Sequence, residues 1–493
     1  MFEKIINLTS ICPENNAFYI NSVFYTYLET AKRINGIKML LQNSTSQNIG
    51  IIINDDIETY ASIFAVLFSG KTYVPINPIN PIDRNDKIIE QAEITAILIS
   101  NKKHLSGIFS DIATLKILET FNVWEENDIL SLPKIDYEQN AYILFTSGST
   151  GVPKGVPISY KNLISFVNAF FSLGYRINEK DRFLQIFDLT FDLSIMSFLI
   201  PLCCGACVYT VPLGEIKFTA AYSIIEDHEI TVALMVPSML SFLRKYFDEI
   251  RLEKMKYSFF CGEALYEDLT EAWADCVPNA LIQNVYGPTE ATIFCLTYNW
   301  NRNLANKNLN GIVCIGKPMK DMIAVIVDNQ LKPVTDGILG ELCLSGPQLT
   351  TGYLKNIQKN KESFFEINSD GKVQIFYRTG DICFKDNDGD FLFSGRLDNQ
   401  VKIQGFRVEL SEIEFHAREY MNGMNAVVHT SINSSGNTLI NLFVENFNNV
   451  DDLLVYLKSK LPPYMIPNAI KTIPSFPLNI NGKVDRKSLK ELI

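Results

Sequence analysis

The segment "FTSGSTGVPKG", residues 145–155, carries side chains that suit the binding of an anion. Gly148 and Gly151 allow the backbone to bend and to approach a ligand closely. Successive N–H groups in such a turn form a concavity that binds anions. Hydroxyl donors and one mobile positive charge complete the set: Thr146, Ser147, Ser149, Thr150 and Lys154. The composition of this segment predicts a loop that holds phosphate groups, and we refer to residues 145–155 as the phosphate loop.

The loop matches neither of the common glycine-rich phosphate motifs. The pattern G-x-x-x-x-G-K-[ST] fails because Pro153 precedes Lys154 and Gly155 follows it. The pattern G-x-G-x-x-G does not fit either. The alternative is a flexible surface loop between the apolar runs "YILF" and "GVPIS". The loop alone therefore does not distinguish a phosphate-binding loop from a surface loop, and the rest of the chain is needed to do so.

The elements that must position the loop are short apolar runs alternating with amphipathic stretches. "IGIIIN" (49–54) and "AYILF" (141–145) predict buried strands, and "TYASIFAVLFSG" (59–70) predicts an intervening helix. Strands that alternate with helices indicate layered α/β structure with largely parallel sheets. From about Met322 onward, short strands separated by Gly and Asp turns predict a small, antiparallel, barrel-like subdomain.

A second change of texture occurs at Asp398. We predict a large N-terminal domain over residues 1–397 and a small, mobile α+β domain over residues 398–493. In the small domain the strand pair "NQVKIQGFRVEL" leads into a helix. Ser411 and Glu414 predict a capping box at the start of that helix.

Composition excludes several classes of function. A net charge of −11 argues against a general nucleic-acid binder, because such proteins neutralise phosphate with basic surface. The ten cysteines form no repeating framework and the first residues are not a secretory signal, so we expect reduced thiols and a cytoplasmic location. The uncharged stretch after Asp192 is long enough to span a bilayer. However, Pro201 and Gly205 divide it into a predicted buried helix and a strand, so no membrane span is expected.

The phosphate loop belongs to a set of segments that resemble, in their order, the motifs of the adenylate-forming superfamily. They are "YILFTSGSTGVPKG" (142–155), "FDLS" (191–194), "NVYGPTEAT" (284–292), "GELCLSGPQLTTGYL" (340–354), "YRTGD" (377–381), "GRLDNQVKIQGFRVELSEIE" (395–414) and "NGKVDR" (481–486). The resemblance covers nearly the whole chain. It points to amino-acid adenylation domains of nonribosomal peptide synthetases and to D-alanine–carrier protein ligases, rather than to fatty-acid or luciferase relatives.

The resemblance implies a reaction in which a carboxylate attacks the α-phosphate of ATP and pyrophosphate leaves. The phosphate loop would then hold the β- and γ-phosphates. Glu290 is expected to be catalytic as a Mg²⁺ ligand, and Lys483 to stabilise charge at the α-phosphate. Tyr286 is expected to stack on adenine, and Asp381 to accept the ribose hydroxyls. The remaining nucleotide-binding residues that the resemblance implies are Gly262, Glu263, Ala264, Asn284, Thr289 and Arg396.

The resemblance also implies that Asp192 binds the α-ammonium of an amino-acid substrate, which would give a partly buried carboxylate the cationic partner that it needs. The family's other specificity positions correspond to Leu193, Met196, Ser238, Phe259, Cys261, Val285, Ile293 and Phe294, with Lys483 completing the set. No charged residue besides Asp192 and Lys483 lines this set, so a charged substrate side chain would be buried without a partner. We therefore expect a small, uncharged amino acid, with alanine favoured over serine, glycine or cysteine.

The resemblance also implies a second step, in which the amino acid passes to the phosphopantetheine thiol of a carrier protein. Asp398 is the expected hinge for rotation of the small domain, and Gly405 is expected to reach the tunnel of the pantetheine arm. The chain contains no "GxDSL"-like attachment site, so we expect the carrier to be a separate molecule. Two alternatives remain: a ligase of the acyl-CoA synthetase type and a catalytically silent nucleotide-binding regulator.

Overall fold

A computed structural model describes residues 1–110, 115–126, 131–148, 151–212, 217–369, 372–398, 400–433, 437–477 and 489. These residues form strands and helices in alternation, followed by antiparallel sheets toward the C-terminus. The predicted α/β fold class is confirmed. The division at residues 397 and 398 stays a prediction.

Two extended sheets form the scaffold of the described residues. The larger has nine strands, in the order Lys317–Pro318, Leu296–Trp300, Leu281–Tyr286, Tyr257–Phe260, Val232–Met235, Arg182–Gln185, Cys207–Thr210, Asn16–Ile20 and Val23–Thr26. The other has six strands, in the order Lys116–Glu119, Ala96–Ile99, Asn48–Ile52, Thr72–Ile76, Asn140–Thr146 and Lys154–Ser159. The central strands of both sheets are parallel, and antiparallel pairs occur toward the edges. Several of these strands are buried on both faces, which explains their uninterrupted apolar sequences.

Helices cover the sheets and follow the apolar pattern of the sequence. The α-helices of the described residues are Phe2–Ile11, Tyr27–Gln42, Ile57–Leu67, Ile82–Gln91, Tyr160–Ser172, Asp192–Leu202, Lys217–Asp227, Pro237–Leu243, Glu267–Cys276, Ile357–Ser363, Leu410–Tyr420 and Val450–Lys460. Short 3₁₀ turns occur at Lys102–Leu105, Arg244–Tyr246, Thr289–Ala291 and Pro463–Met465. Every residue of Ile57–Leu67 is buried, and the Asp56 carboxylate caps this helix by accepting from the Thr59 amide at 2.8 Å.

The uncharged stretch after Asp192 folds as predicted, with a buried helix, Asp192–Leu202, and a buried strand, Cys207–Thr210. Pro201 lies in the last turn of the helix, where the chain is already ending its helical path. Over the part of the chain that the structure describes, no helix combines the length and the apolar character that a membrane crossing needs. All ten cysteines are free thiols.

The antiparallel region lies beyond the larger sheet. Its strands pair in the order Ile323–Val327, Gly340–Ser345, Lys372–Lys385 and Phe364–Ser369, with Phe391–Arg396 also pairing with Lys372–Lys385. A two-stranded ribbon, Asn308–Leu309 with Ile312–Val313, stands apart from it. This arrangement agrees with the antiparallel subdomain that the Gly and Asp turns predicted.

Residues 400–433 and 437–477, which we call the C-terminal module, have an apolar core of their own, built on Val408, Ile413, Leu442 and Leu453. The module contains a hairpin, Gln400–Ile403 with Phe406–Glu409, and a sheet of Ala426–Ile432, Thr438–Glu445 and Ala469–Ile473. We refer to residues 400–409 as the hairpin.

The predicted capping box at Ser411 and Glu414 is wrong. The helix begins at Leu410, directly after the hairpin strand, and its N-cap position is Glu409, which makes no capping hydrogen bond. The Glu414 carboxylate instead accepts from the Val428 amide at 2.9 Å. Because the strand runs straight into the helix, Ser411 lies within the first turn rather than before it.

Candidate active site

Parallel strands bring the predicted site residues to one edge of the larger sheet. The strands concerned are Arg182–Gln185, Val232–Met235, Tyr257–Phe260 and Leu281–Tyr286. Residues that follow the carboxyl ends of parallel strands lie at the same edge, which is where α/β sheets bind ligands. This topology explains why segments far apart in the sequence, at 188–193, 236–238, 261–264 and 286–290, share one site.

Asp381 is the centre of a polar group on one side of the site. The Tyr286 hydroxyl donates to its Oδ2, and the Arg396 guanidinium donates to its Oδ1. Burial raises the pKa of Tyr286, so the hydroxyl remains a proton donor. A cavity of about 330 Å³ opens beside these three residues. Its volume and its fixed polar groups suit a nucleoside.

Other predicted nucleotide-binding residues surround the same cavity. Ala264 and Glu263 line it. The Asn284 amide also borders it but donates to the carbonyl oxygens of Val313 and Cys314, at 3.2 and 3.0 Å. Asn284 therefore supports the wall of the cavity. Ser238, assigned from sequence to the amino-acid pocket, lines this cavity as well, and its hydroxyl has no hydrogen-bond partner among the described residues.

Glu290 is completely buried and faces a cation. Arg407 Nη1 lies 3.1 and 2.9 Å from its two carboxylate oxygens, and the Tyr353 hydroxyl donates to Oε1 at 2.5 Å. Burial opposes ionisation, yet the Arg407 guanidinium and the Tyr353 hydroxyl hold the pKa of Glu290 below its usual value. A buried, ionised carboxylate with a cation against it has the character that a Mg²⁺ ligand requires.

The described residues of the phosphate loop are held by the C-terminal module. The Gly148 amide donates to Glu412 Oε2 at 2.9 Å, and Lys154 Nζ lies 2.9 Å from Glu409 Oε1. The Ser147 hydroxyl donates to the Arg407 carbonyl at 2.9 Å. A side chain at 148 would place its Cβ 1.9 Å from the Val152 carbonyl oxygen, so only glycine fits this tight turn. Thr146 is the last residue of the strand Asn140–Thr146, whereas Ser149 and Thr150 lie outside the described residues.

The tip of the hairpin enters the site. The Gly405 amide donates to Glu263 Oε1 at 3.0 Å, and Gly405 adopts a φ of +85°. A Cβ at this position would lie 2.8 Å from Val236 Cγ1. Glycine is therefore required both by the left-handed backbone and by the close approach.

Asp192 begins the helix Asp192–Leu202 and is 7% exposed. Burial raises its pKa to about 6, against the opposing effects of a hydrogen bond from Thr289 and of the Lys402 charge. Within the described part of the chain Asp192 forms no ion pair within 4 Å. A narrow cavity of about 60 Å³ lies beside it, lined also by Leu193, Cys261 and Thr289.

Five other residues assigned to the amino-acid pocket are packed in the protein interior. Met196, Phe259, Ile293 and Phe294 have no exposed surface, and Val285 is also buried. The Phe294 ring packs edge-to-face on Phe166, with ring centroids 5.0 Å apart. None of these five residues lines the 60 Å³ cavity. Their role in setting the depth of the amino-acid pocket therefore stays a prediction.

The backbone beside this pocket is strained. Thr292 and Ile293 have φ values of 55° and 73°, in a left-handed region that β-branched residues rarely adopt. The Thr292 hydroxyl donates to the Gln348 carbonyl at 2.5 Å, and Gly287 allows the chain to pass close by, since its Cβ would lie 2.4 Å from Phe294 Cα. These contacts fix the segment that carries Ile293 and Phe294.

Asp398, which the sequence predicts to be a hinge, pairs with Arg396, at 2.7 Å from Nε to Oδ1 and 2.8 Å from Nη2 to Oδ2. Catalytic candidate Lys483 lies outside the described residues. Sequence reasoning missed several charged groups that the structure brings into the site: Arg84, Lys402, Arg407, Glu409 and Glu412. Four of these lie within the quoted segment "GRLDNQVKIQGFRVELSEIE", where the alternation of basic and acidic residues was the available signal.

Comparisons with known proteins agree with this geometry. Residues 11–354 match the family described as AMP-binding enzyme. The chain is 32% identical to zwittermicin A synthase ZmaJ of Bacillus cereus, over 99% of this chain and 94% of that protein. It is also 31% identical to gramicidin S synthase 1 of Brevibacillus brevis, over 97% of this chain but only 43% of that longer protein.

A solved structure resembles the whole chain. The adenylation domain AlmE of Vibrio cholerae, solved in complex with glycyl-adenosine-5'-phosphate, superposes with a TM-score of 0.88. The two sequences are 28% identical, and the match covers 100% of this chain and 97% of AlmE. The chain thus belongs to the AMP-binding enzyme family, as an ATP-dependent, AMP-forming adenylation domain of the nonribosomal peptide synthetase type.

Proposed function

We propose that the enzyme activates a small, uncharged amino acid, alanine first, and transfers it to the phosphopantetheine thiol of a separate carrier protein. The observation that carries this proposal is Asp192. It is a buried carboxylate at the carboxyl edge of a parallel sheet, and burial raises its pKa to about 6. A charge kept out of water in this way needs a cationic partner, and the ammonium group of an amino acid would supply one.

In the first step the substrate carboxylate would attack the α-phosphorus of ATP, the bond to the β-phosphate would break, and pyrophosphate would leave. The enzyme's contribution is position and charge. Asp381 and Tyr286 would hold the nucleoside in the 330 Å³ cavity, and the phosphate loop would hold the leaving group. Glu290 would hold Mg²⁺, which neutralises phosphate charge when bound. Lys483 would bring a further cation to the α-phosphate.

In the second step the carrier thiol would attack the acyl carbon, and AMP would leave. A cavity of about 520 Å³ supports this step. It lies between the C-terminal module and loops that follow strands of the two extended sheets. It shares Phe145, Thr190 and Tyr464 with the cavity beside Asp192. Gln404 and Phe406, on either side of Gly405, also line it. These shared lining residues support a route by which an extended thiol-bearing arm would reach the acyl group.

The packing behind Asp192 supports a small substrate. Met196, Ile293 and Phe294 are fully buried, and they would close the space in which a longer side chain would lie. The cavity beside Asp192 measures only about 60 Å³ with the hairpin tip against it. The glycyl adenylate bound to the related AlmE structure also favours a small amino acid.

The decisive experiment supplies ATP, Mg²⁺ and alanine, and compares alanine with propionate, which lacks the amine. Release of AMP should require both the amino group and a phosphopantetheinylated carrier protein, and mass spectrometry should find alanine on the carrier. Equal turnover of propionate with coenzyme A would favour the acyl-CoA synthetase alternative. Nucleotide binding without pyrophosphate release for any acid would favour the silent regulator.

A further inference from the structure

Two neighbouring tyrosines of the six-stranded sheet carry hydroxyl groups that the protein itself does not satisfy. Tyr73 lies on the strand Thr72–Ile76 and Tyr142 on the strand Asn140–Thr146, and the two residues are direct partners in the parallel pairing of these strands. Their ring centroids are 5.6 Å apart, and the residues are 1% and 0% exposed. Neither hydroxyl has a hydrogen-bond partner among the residues that the structure describes.

Other buried tyrosines of the chain do have such partners. The Tyr27 hydroxyl donates to the Ala206 carbonyl at 2.9 Å, and the Tyr160 hydroxyl donates to the Leu67 carbonyl at 2.9 Å. Buried polar groups of folded proteins are nearly always hydrogen-bonded, and where no protein atom serves, the partner is an ordered water. The two unpaired hydroxyls therefore indicate a polar ligand of about the size of water beside this strand pair.

Tyr142 lies on the face of its strand that leads to Asp192. Alternate residues of a strand share a face, so Tyr142 is on the side of Leu144 and Thr146. Both of those residues line the 60 Å³ cavity beside Asp192. Burial raises the pKa of Tyr142, and the charge of Asp192 adds to this effect. The hydroxyl of Tyr142 therefore stays protonated near this carboxylate and can donate a hydrogen bond.

The other groups around Asp192 come from the larger sheet and from the C-terminal module. Burial raises the pKa of Asp192 to about 6, a hydrogen bond from Thr289 and the Lys402 charge lower it, and the Glu290 charge raises it. Three further titratable groups interact with Asp192 or line its cavity: Cys261, Arg407 and Tyr464. A donor at Tyr142 would support the carboxylate from the six-stranded sheet instead.

We propose that Tyr73 and Tyr142 hold one buried water molecule against Asp192, which makes Tyr142 a positioning residue for the ammonium-binding carboxylate. The water accepts from the two hydroxyls and donates to Asp192, so it has three polar partners, as is typical of a buried water. A hydrogen bond to the charged form of an acid favours that form. The water thus keeps Asp192 ionised in a site where burial favours the neutral acid. The inference rests on the proposed function for the role of Asp192.

Phenylalanine variants test for the water through protein stability. If either hydroxyl lacked any partner, its removal would relieve an unsatisfied polar group and would raise the melting temperature. A hydroxyl that is bound to water, and through it to a charged group, instead contributes to stability. Tyr142→Phe and Tyr73→Phe should therefore each lower the melting temperature by about 1–3 °C at neutral pH. A raised or unchanged melting temperature in either variant would overturn the proposal.

The pH dependence of amino-acid use tests the link to Asp192. The acid limb of kcat/KM for alanine reports the pKa of the essential carboxylate in the free enzyme. Loss of the Tyr142 hydroxyl should move this limb upward by about one pH unit. In Tyr142→Phe, kcat/KM should fall about fivefold relative to wild type at pH 6 and stay nearly unchanged at pH 8, with kcat at saturating alanine retained. An acid limb that does not move would overturn the proposal, because a merely structural tyrosine leaves the titration of Asp192 as it is.

Tyr27→Phe is the matched control. It removes the hydroxyl of a buried tyrosine whose partner is a carbonyl of the protein and whose surroundings are cysteines rather than Asp192. This variant should lose stability without any shift of the acid limb. An equal shift in Tyr27→Phe would reduce the effect to a general loss of stability and would overturn the proposal.

The double variant Tyr73→Phe, Tyr142→Phe tests whether the two hydroxyls serve one water. Tyr73→Phe should move the acid limb in the same direction as Tyr142→Phe, and the double variant should move it no further than Tyr142→Phe alone. Additive shifts would contradict a shared water. An enzyme without pyrophosphate exchange for any amino acid would contradict the proposed function instead, whereas the melting temperatures test the water without any turnover.

Discussion

Replacing Asp192 by asparagine separates a substrate-binding carboxylate from a structural one. The change keeps the shape of the side chain and an oxygen that can accept the hydrogen bond from Thr289. It removes only the charge. Two opposite effects follow from the burial of Asp192: weaker binding of the amino acid and higher stability of the free enzyme.

The expected change in stability follows from the raised pKa of Asp192. A rise from 3.8 to about 6 means that holding the charge in the folded protein at neutral pH costs about 3 kcal/mol. Because the folded pKa is raised, this carboxyl favours folding below pH 3.8, and its contribution is lost as the pH rises through 6. The asparagine variant never carries the charge, so its free form should gain up to about 3 kcal/mol at neutral pH. Removing the counter-charge of a buried ammonium costs roughly 3–5 kcal/mol, or about 10²- to 10⁴-fold in affinity.

The assay measures KM for alanine and for ATP by pyrophosphate exchange, together with the free energy of unfolding between pH 4 and 8. The KM for alanine should rise about a hundredfold or more while that for ATP stays within about threefold. Asp181→Asn is the control, because Asp181 is also buried but has a fixed partner, Lys256 Nζ at 2.8 Å. That variant should lose stability without a selective change in the alanine KM. An Asp192→Asn enzyme that discriminates alanine from propionate as wild type does would refute the reasoning.

Further variants test the other assignments. Lys483→Ala should lower the rate of adenylate formation by about 10²–10³-fold with ATP affinity retained, since one cation in a dry site is worth roughly 3–4 kcal/mol; near-normal pyrophosphate exchange would rule the residue out. Asp398→Pro, which fixes φ, should impair thioester formation more than adenylation when compared with Asp398→Asn, which loses only the pairing with Arg396; equal losses in both steps would remove the hinge role. Phe294→Ala and Met196→Gly should admit longer aliphatic amino acids in an exchange assay, with a drop in melting temperature from the cavity created; an unchanged preference would place the limit of the pocket elsewhere.

The order of elements could be predicted from the sequence because it depends on local patterns. Runs such as "AYILF" and "VALMVP" have the continuous apolar character of strands buried on both faces, and the structure contains strands there. The placement of Asp192, Tyr286 and Glu290 at one edge follows from the same pattern, since Tyr286 ends a strand of the parallel part of the larger sheet and the other two follow such strands. The order of the seven motif segments along the chain indicated the family.

The contacts between the C-terminal module and the two extended sheets with their loops could not be predicted from local sequence patterns. The pair of Arg407 and Glu290 joins residues 117 positions apart, and no periodicity specifies such a partner. The capping pattern at Ser411 predicted the wrong start of the helix for a related reason. The hairpin strand fixes where the helix starts, and this constraint overrides the local capping preference. The left-handed backbone at Thr292 and Ile293 also contradicts local propensity, because β-branched residues disfavour it.

The most direct test of the central claim is the exchange of labelled pyrophosphate into ATP over a panel of both enantiomers of the common amino acids. The account predicts that exchange requires an amino acid and is fastest with alanine, with serine, glycine or cysteine close behind, because one methylene changes discrimination by only about 1–3 kcal/mol. Fastest exchange with an aromatic, basic or acidic amino acid would contradict the small, uncharged pocket. Absence of exchange with every amino acid would contradict the assignment of Asp192 as the ammonium-binding carboxylate.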